Sequence, residues 1–363
     1  MLRSSPTRPR TSAPPRGTAE IGRATGRPWL EAQELSAIAS VLRTLERRDQ
    51  AEAVIPQALD AARRAGLEYL EARVMGLAGE LAWDRGDPVR ARAQHDQALR
   101  ISQEARDLEG EAFARTGLTE IGLCQGPLEQ AIADGTRARQ LWRRLGHRPT
   151  ADAVAQMLGF LRLMAGDRPT AERLFLEALD GARELGMARE ESAPLTGLAL
   201  LSMQRGDLGD ARSRLDEAIA VAEGSGATRA TISSRLARCL LWQELGAPDL
   251  ARTDLAALDE LVPPSVSYLR PLRLAARGWV EATGGRGDAA RETFSHARSQ
   301  AEDLLLPRVA CGRFEVLAWR EVGEPEAASE AAGWLVDGPG GEIPSVAALG
   351  AWARAWAAGN GTS

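Results

Sequence analysis

The sequence predicts an all-α protein: a right-handed α-solenoid of about eight helix–turn–helix units followed by a C-terminal capping helix. Three recurring positions predict this fold. An alanine recurs at a spacing of 40 residues or slightly less, a glycine lies five residues before it in every unit but the first, and an apolar residue lies ten before it. A period of this length is typical of solenoids. The alanines are Ala51, Ala91, Ala131, Ala171, Ala211, Ala251, Ala290 and Ala328, and the glycines are Gly86, Gly126, Gly166, Gly206, Gly246, Gly285 and Gly323.

Each unit is predicted to pair a first helix, which ends at the turn glycine, with a second helix that carries the recurring alanine. Small residues at that alanine and seven positions later let two helices approach closely where they cross. The expected helix pairs are 30–45 with 50–65, 69–85 with 88–105, 109–124 with 128–145, 149–165 with 169–185, 189–204 with 208–224, and 228–244 with 248–261. Unit seven is expected over about 268–304, and unit eight begins near Pro307.

The remaining segments complete the domain plan. Residues 1–28 contain five prolines and few large apolar residues, so we expect a disordered tail. The solenoid is assigned to 29–337, a glycine-rich linker to 338–342, a capping helix to 343–357, and a disordered end to 358–363. The two prolines after Val262 are read as a long loop between units, because the recurring positions resume after them.

These positions resemble the tetratricopeptide repeat. In that family a small residue, here Gly79, Gly159 or Gly278, lies seven positions before the turn glycine. The resemblance covers roughly residues 31–337, with units longer than the family usually has. Units of this length look like the repeat regions of MalT-like bacterial signalling regulators and of peptide-sensing regulators. The resemblance implies that the first helices line a concave face which binds a protein or peptide.

Composition excludes several classes of function. All 45 basic residues are arginine, so the lysine of a Walker-type phosphate loop, of a protein kinase or of a Schiff base is absent. The net charge is −5, and residues 1–28 carry six arginines against one glutamate. The rest of the chain is therefore acidic and a poor nucleic-acid surface. No apolar run is long enough to cross a membrane. The odd, widely spaced set of cysteines predicts reduced thiols and a cytoplasmic protein.

The residues that could form catalytic, metal or adhesion sites are better explained as structural parts of the repeat. The three histidines lie in different units without metal-ligand or triad spacing, and His95 is expected to pack in the core. Cys124 is expected to be a small core residue. The tripeptide Arg-Gly-Asp at 85–87, 205–207 and 286–288 recurs in register with the turns, so we interpret it as turn and helix cap. We therefore expect no enzyme activity, cofactor or bound metal.

An apolar stripe is the strongest candidate site. The positions that face the ligand in tetratricopeptide arrays carry apolar side chains over units three to six, with acidic residues at the edge in unit two. Two interpretations stay open: these side chains either form a binding groove or turn into the core. A groove of this kind suits an apolar or amphipathic helix of a partner protein. The stripe comprises Trp83, Leu123, Phe160, Leu163, Met164, Leu200, Met203 and Leu240.

Two functions fit these sequence features. The first is a non-enzymatic scaffold for protein or peptide binding in bacterial signalling or regulation. The alternative is the sensor or scaffold portion of a split or truncated transcriptional regulator, coupled to an ATPase or a kinase. A homodimer is left open, and neither nucleic acid nor membrane is expected as a partner.

Overall fold

The computed structural model describes residues 26–261 and 269–358. Over these residues the chain forms 17 α-helices and no strand, which confirms the all-α solenoid. The helices are α1 (Pro28–Thr44), α2 (Arg48–Ala65), α3 (Glu68–Asp84), α4 (Pro88–Glu104), α5 (Leu108–Gln125), α6 (Leu128–Arg144), α7 (Arg148–Met164), α8 (Arg168–Glu184), α9 (Ala188–Gln204), α10 (Leu208–Gly224), α11 (Thr228–Glu244), α12 (Pro248–Leu261), α13 (Arg270–Thr283), α14 (Gly287–Ala301), α15 (Leu305–Val322), α16 (Pro325–Val336) and α17 (Pro344–Ala357).

The bounds predicted for the first six units lie within two residues of the observed helices. The predicted tail lies outside the described residues up to position 25, and α1 begins at Pro28. The loop after unit six and most of the C-terminal end also lie outside the described residues.

The recurring positions are explained by packing. All eight recurring alanines are buried, because the first and second helix of each unit cross there without room for a larger side chain. The turn glycines all have positive φ, a conformation that L side chains rarely adopt. The first unit has Glu46 at this position, and Glu46 adopts the same left-handed conformation at φ 59°.

Aspartates begin several second helices, as predicted. The carboxylates of Asp87, Asp167 and Asp207 accept hydrogen bonds from the backbone N–H groups three residues later. These bonds satisfy N–H groups that have no partner within the helix. In two of the Arg-Gly-Asp tripeptides, the arginines Arg85 and Arg205 pair with carboxylates of the preceding unit. These two tripeptides therefore act as turn, cap and ion pair. The interpretation is wrong for the third, at 286–288: its Gly287 lies two positions after the turn glycine Gly285, Arg286 is the N-cap residue of α14, and no side chain caps that helix.

The two ends of the array differ. At the C-terminal end, α17 packs on α16 and buries Ile343 and Val346 beside Leu335. At the other end, Trp29 and Val41 of α1 and Leu45, which follows it, are exposed. The residues equivalent to Val41 in the other seven units are at most 4% exposed. Leu81, for example, packs into the cluster of the preceding unit, which unit one lacks.

The array curls back on itself. The first helix of unit three, α5, contacts the first helix of unit eight, α15, and α11 also contacts α15. Leu128, at the start of α6, packs with Leu305 at the start of α15. First helices therefore meet across the inside of the curl, and they form its inner face.

Candidate ligand-binding face

The predicted apolar stripe lies on first helices and at the boundary between core and surface. Seven of its eight side chains are half-buried, and Met203 is buried. The Phe160 ring packs edge-on against Phe175, with 4.9 Å between ring centroids. Leu163 packs on the same cluster between units four and five, and Leu200 and Leu240 pack on the cluster of the C-terminal half. These side chains thus close the core and still present some apolar surface on the first helices.

The chain itself covers one part of the stripe. Met164, at the end of α7, packs against the cluster formed by Leu305, Leu335, Ile343 and Val346. Unit eight and the capping helix therefore cover the inner face at unit four. The sequence pattern gave no sign of this contact, because it depends on how far the array turns between units four and eight.

The acidic edge in unit two is part of a larger ionic cluster. Arg43 Nη1 lies 2.7 Å from Glu80 Oε2, and Arg43 Nε lies 2.9 Å from Asp84 Oδ2. Trp83, predicted as part of the stripe, donates a hydrogen bond from its indole Nε1 to Glu120 Oε1 at 2.9 Å. Trp83 thus orients a carboxylate of the next unit in addition to presenting apolar surface.

Arg229 on α11 reaches this cluster from unit six. Its Nη2 lies 3.4 Å from Asp84 Oδ1, and its Nη1 lies 3.4 Å from Glu120 Oε1. Its side chain is 47% exposed. One guanidinium therefore bridges carboxylates of units two and three, 145 and 109 positions earlier in the chain.

Burial in this cluster changes the protonation of its carboxylates. Burial raises the pKa of Glu80 to about 7, with Glu120 and Asp84 adding to the rise and Arg43 opposing it. A carboxylate close to other carboxylates favours its neutral form unless cations compensate. Burial is therefore the main cause of the rise, and partial protonation of Glu80 near neutral pH lessens the negative charge of the cluster.

His95 and the cysteines pack as predicted. The His95 ring is 2% exposed and lies between Gly79 of α3 and Gly117 of α5, where a Cβ on either glycine would overlap it. Burial lowers the pKa of His95 to about 4, so the ring is neutral at physiological pH. Cys124 is buried and reduced, and burial raises the pKa of its thiol, which makes it a poor nucleophile.

The described ranges contain neither a cluster of metal-binding side chains nor a membrane-spanning helix. Over residues 26–261 and 269–358, no group of three or more histidine, cysteine, aspartate or glutamate side chains is arranged to hold a metal ion. In the same ranges no helix is long and apolar enough to span a membrane.

The chain is similar to known proteins in structure and not in sequence. No family model and no curated protein sequence matches the chain. A Rap protein solved in complex with Competence and Sporulation Factor superposes with a TM-score of 0.66 at 12% identity, covering 88% of this chain and 99% of the Rap chain. Aspartyl phosphate phosphatase F from Bacillus subtilis gives a TM-score of 0.58 at 14% identity, covering 89% and 84% of the two chains.

A third similar structure is described as a tetratricopeptide repeat protein. A tetratricopeptide repeat protein from Parabacteroides merdae superposes with a TM-score of 0.50 at 16% identity, covering 79% of this chain and 98% of its own. The chain has a tetratricopeptide-like helical repeat fold. At these identities the comparison establishes the fold. The resemblance of the tetratricopeptide-like units to the longer MalT-like type stays a prediction.

Proposed function

We propose that this tetratricopeptide-like protein is a scaffold that binds a peptide or protein segment on the inner face of its curl. The observation that carries the proposal is the apolar stripe: side chains such as Phe160, Leu163 and Leu200 are left half-buried on helices that face inward. Half-buried apolar side chains in a concave surface gain free energy when a ligand covers them. One of the similar structures, the Rap protein, was solved with a bound factor, which supports a ligand-binding use of the fold.

The chemistry of this face fits binding without catalysis. Cys124 and His95, two of its potentially reactive side chains, are buried and held in uncharged forms. A ligand on this face would meet apolar surface at units four to six and carboxylates at units two and three. We therefore propose an amphipathic segment as the ligand, with signalling or regulation in the cytoplasm as its setting.

Charge placed in the stripe should weaken binding. Leu163→Glu combined with Leu200→Glu would put carboxylates against the apolar side of the ligand. Each lost apolar contact is worth about 1.5–3 kcal/mol when fully buried, so we expect affinity to fall at least about tenfold. Ligand peptides would be selected from a displayed peptide library with the intact chain as bait, and affinity would be measured by fluorescence polarisation.

The matched control is Leu176→Glu with Leu250→Glu. Both leucines lie on second helices and are about 45% exposed, so these changes should leave affinity and circular dichroism unchanged. If the inner-face pair keeps wild-type affinity while remaining folded, the inner face is not the binding surface.

The alternative, a sensor or scaffold portion of an ATPase- or kinase-coupled regulator, is favoured by one observation. Val41 on α1 is 56% exposed, whereas the residues at the equivalent position of the other seven units are buried. A further helical module could pack there. If so, Val41→Glu should weaken capture of an ATPase or kinase encoded by an adjoining gene, and an adjoining gene of unrelated function would argue against this alternative.

A further inference from the structure

A small cavity lies where units one, two, three and six meet on the inner face. Its volume is about 90 Å³, and its charged lining consists of Glu80, Asp84 and Glu120 together with Arg43 and Arg229. In the part of the chain that the structure describes, three carboxylates thus face two guanidinium groups in this cavity. Arg43 pairs with Glu80 and Asp84 at 2.7 and 2.9 Å.

The unfilled hydrogen-bonding capacity of His95 points to a ligand. His95 lines the same cavity, is 2% exposed, and its Nδ1 has no hydrogen-bond partner. Buried polar atoms are nearly always hydrogen-bonded, so an exception requires an explanation. Because the ring is neutral, an unprotonated Nδ1 would accept a hydrogen bond from an N–H group that enters the cavity.

The carboxylates are spaced for a planar, forked cation. Arg229 places one terminal nitrogen on Asp84 and the other on Glu120. Two terminal N–H groups in a fixed plane are the feature that separates guanidinium from ammonium. Both distances are 3.4 Å, whereas charge-assisted bonds between N–H and carboxylate are usually about 2.7–2.9 Å. A guanidinium placed nearer to both carboxylates would therefore bond to them more closely than Arg229 does.

We propose that this cavity is a guanidinium-binding site, which Arg229 occupies loosely in the curled chain and which an arginine side chain of the bound segment takes over. The proposal rests on the proposed function and gives the ligand a second feature: an arginine placed to reach units two and three while apolar residues cover units four to six. Entry of the ligand arginine would release Arg229 and loosen the link between unit six and units two and three.

Small probes can test the site without the natural ligand. N-acetyl-arginine amide would be titrated into the intact protein, and binding followed by NMR at the Trp83 indole N–H, assigned with Trp83→Phe. We expect saturable binding of the arginine probe. The citrulline analogue, which is neutral and nearly isosteric, and the lysine analogue, which lacks the fork, should each bind at least about fivefold more weakly.

Removing the internal competitor should strengthen binding. Arg229→Ala should bind the arginine probe at least about threefold more tightly, whereas Arg205→Ala, a similarly exposed arginine that pairs with Glu172, should not. Glu120→Gln, which preserves shape and can still accept from Trp83, should weaken binding at least about threefold. Glu120 is 40% exposed, so this variant is expected to fold even if Arg229→Ala does not.

The outcomes that would overturn the proposal are equal binding of the arginine and citrulline analogues, equal binding of the arginine and lysine analogues, or unchanged binding in both Arg229→Ala and Glu120→Gln. The stripe variant with Leu163→Glu and Leu200→Glu should bind the arginine probe normally. Failure of the guanidinium site and failure of the apolar stripe can therefore be told apart.

Discussion

Single residues in this chain acquire unusual properties because the array buries them. Glu315, on the first helix of unit eight, is 3% exposed. The Trp319 Nε1 donates to its Oε1 at 3.4 Å, and Arg298 Nη2 lies 3.4 Å from the same oxygen. Burial raises the pKa of Glu315 to about 7; Arg298 and Arg291 oppose the rise and Glu330 adds to it. The carboxyl is thus half-protonated near neutral pH.

This pKa predicts a pH-dependent stability. Between about pH 4.5 and 7 the folded state holds a proton at Glu315 that the unfolded state has lost, so the free energy of unfolding falls as pH rises. Glu315→Gln should remove the contribution of this residue, so that between pH 4.5 and pH 7.5 the variant loses roughly 1–3 kcal/mol less stability than wild type. Urea denaturation across this range measures it. Exposed Glu326→Gln is the control, and parallel curves for wild type and Glu315→Gln would contradict the prediction.

Neighbouring helices fit together because large and small side chains alternate between two repeat positions. One position lies seven residues before the turn glycine, and the other lies four residues after the recurring alanine. In three units the first position is glycine and the second carries a ring. The pairs are Gly79 with His95, Gly159 with Phe175, and Gly278 with Phe294. In unit three the sizes are exchanged: Thr119 packs against Gly135. The packing therefore explains why a histidine can stand where other units carry a phenylalanine.

A methyl group at one of these glycines should destabilise a helix contact. The Phe175 ring lies between Gly159 of α7 and Gly197 of α9, and a Cβ at Gly159 would lie 2.5 Å from the ring. Phe175 is fully buried, and the backbone of Gly197 is as close to the ring on its other side as that of Gly159. Gly159→Ala should therefore cost about 1–3 kcal/mol in urea denaturation. Gly333→Ala, on a helix with no atom within 4 Å of the added Cβ, should be neutral or stabilising by up to about 1 kcal/mol. Equal stability of the two variants would show that the ring is not confined.

At the scale of the whole molecule, the curl is held by contacts between distant units. Leu128 and Met164 pack with the C-terminal cluster around Leu305, Gln243 Nε2 donates to the Phe314 carbonyl at 2.9 Å, and Arg229 bridges Asp84 and Glu120. Solenoids otherwise depend on contacts between adjacent repeats. These additional contacts fix the width of the inner face and the set of side chains that meet across it.

Breaking one of these contacts should open the curl. Leu128→Asp places a charge against the cluster of Leu305, Leu335 and Val346, while aspartate in the first turn of a helix is locally favourable. We expect an increased radius of gyration in small-angle scattering, unchanged circular dichroism, and a loss of about 1–3 kcal/mol in stability. Val89→Asp, at the start of α4 and 73% exposed, should change neither. An unchanged radius of gyration for Leu128→Asp would show that the curl does not depend on this contact.

The sequence by itself determined the fold class, the units and most helix ends. Each of these follows from interactions within a unit or between adjacent units. Such interactions recur in every unit, so the residues that make them recur at a period of about 40. In any array of this kind the residue at Ala131 must be small, and the backbone at Gly166 must be left-handed. The resemblance to tetratricopeptide arrays also placed the candidate stripe on first helices, and first helices of distant units contact each other in the structure.

Only the tertiary structure decided what the inner face contains. Met164 is covered by unit eight and the capping helix, and Arg229 reaches Asp84 and Glu120. Both contacts depend on the rotation accumulated over several units. A small rotation at each unit adds up along the array and sets where unit six or unit eight meets unit three. The total rotation cannot be predicted from a local sequence pattern. The repeat pattern therefore predicts the helices and their neighbours, whereas the cavity is created by residues 109 and 145 positions apart.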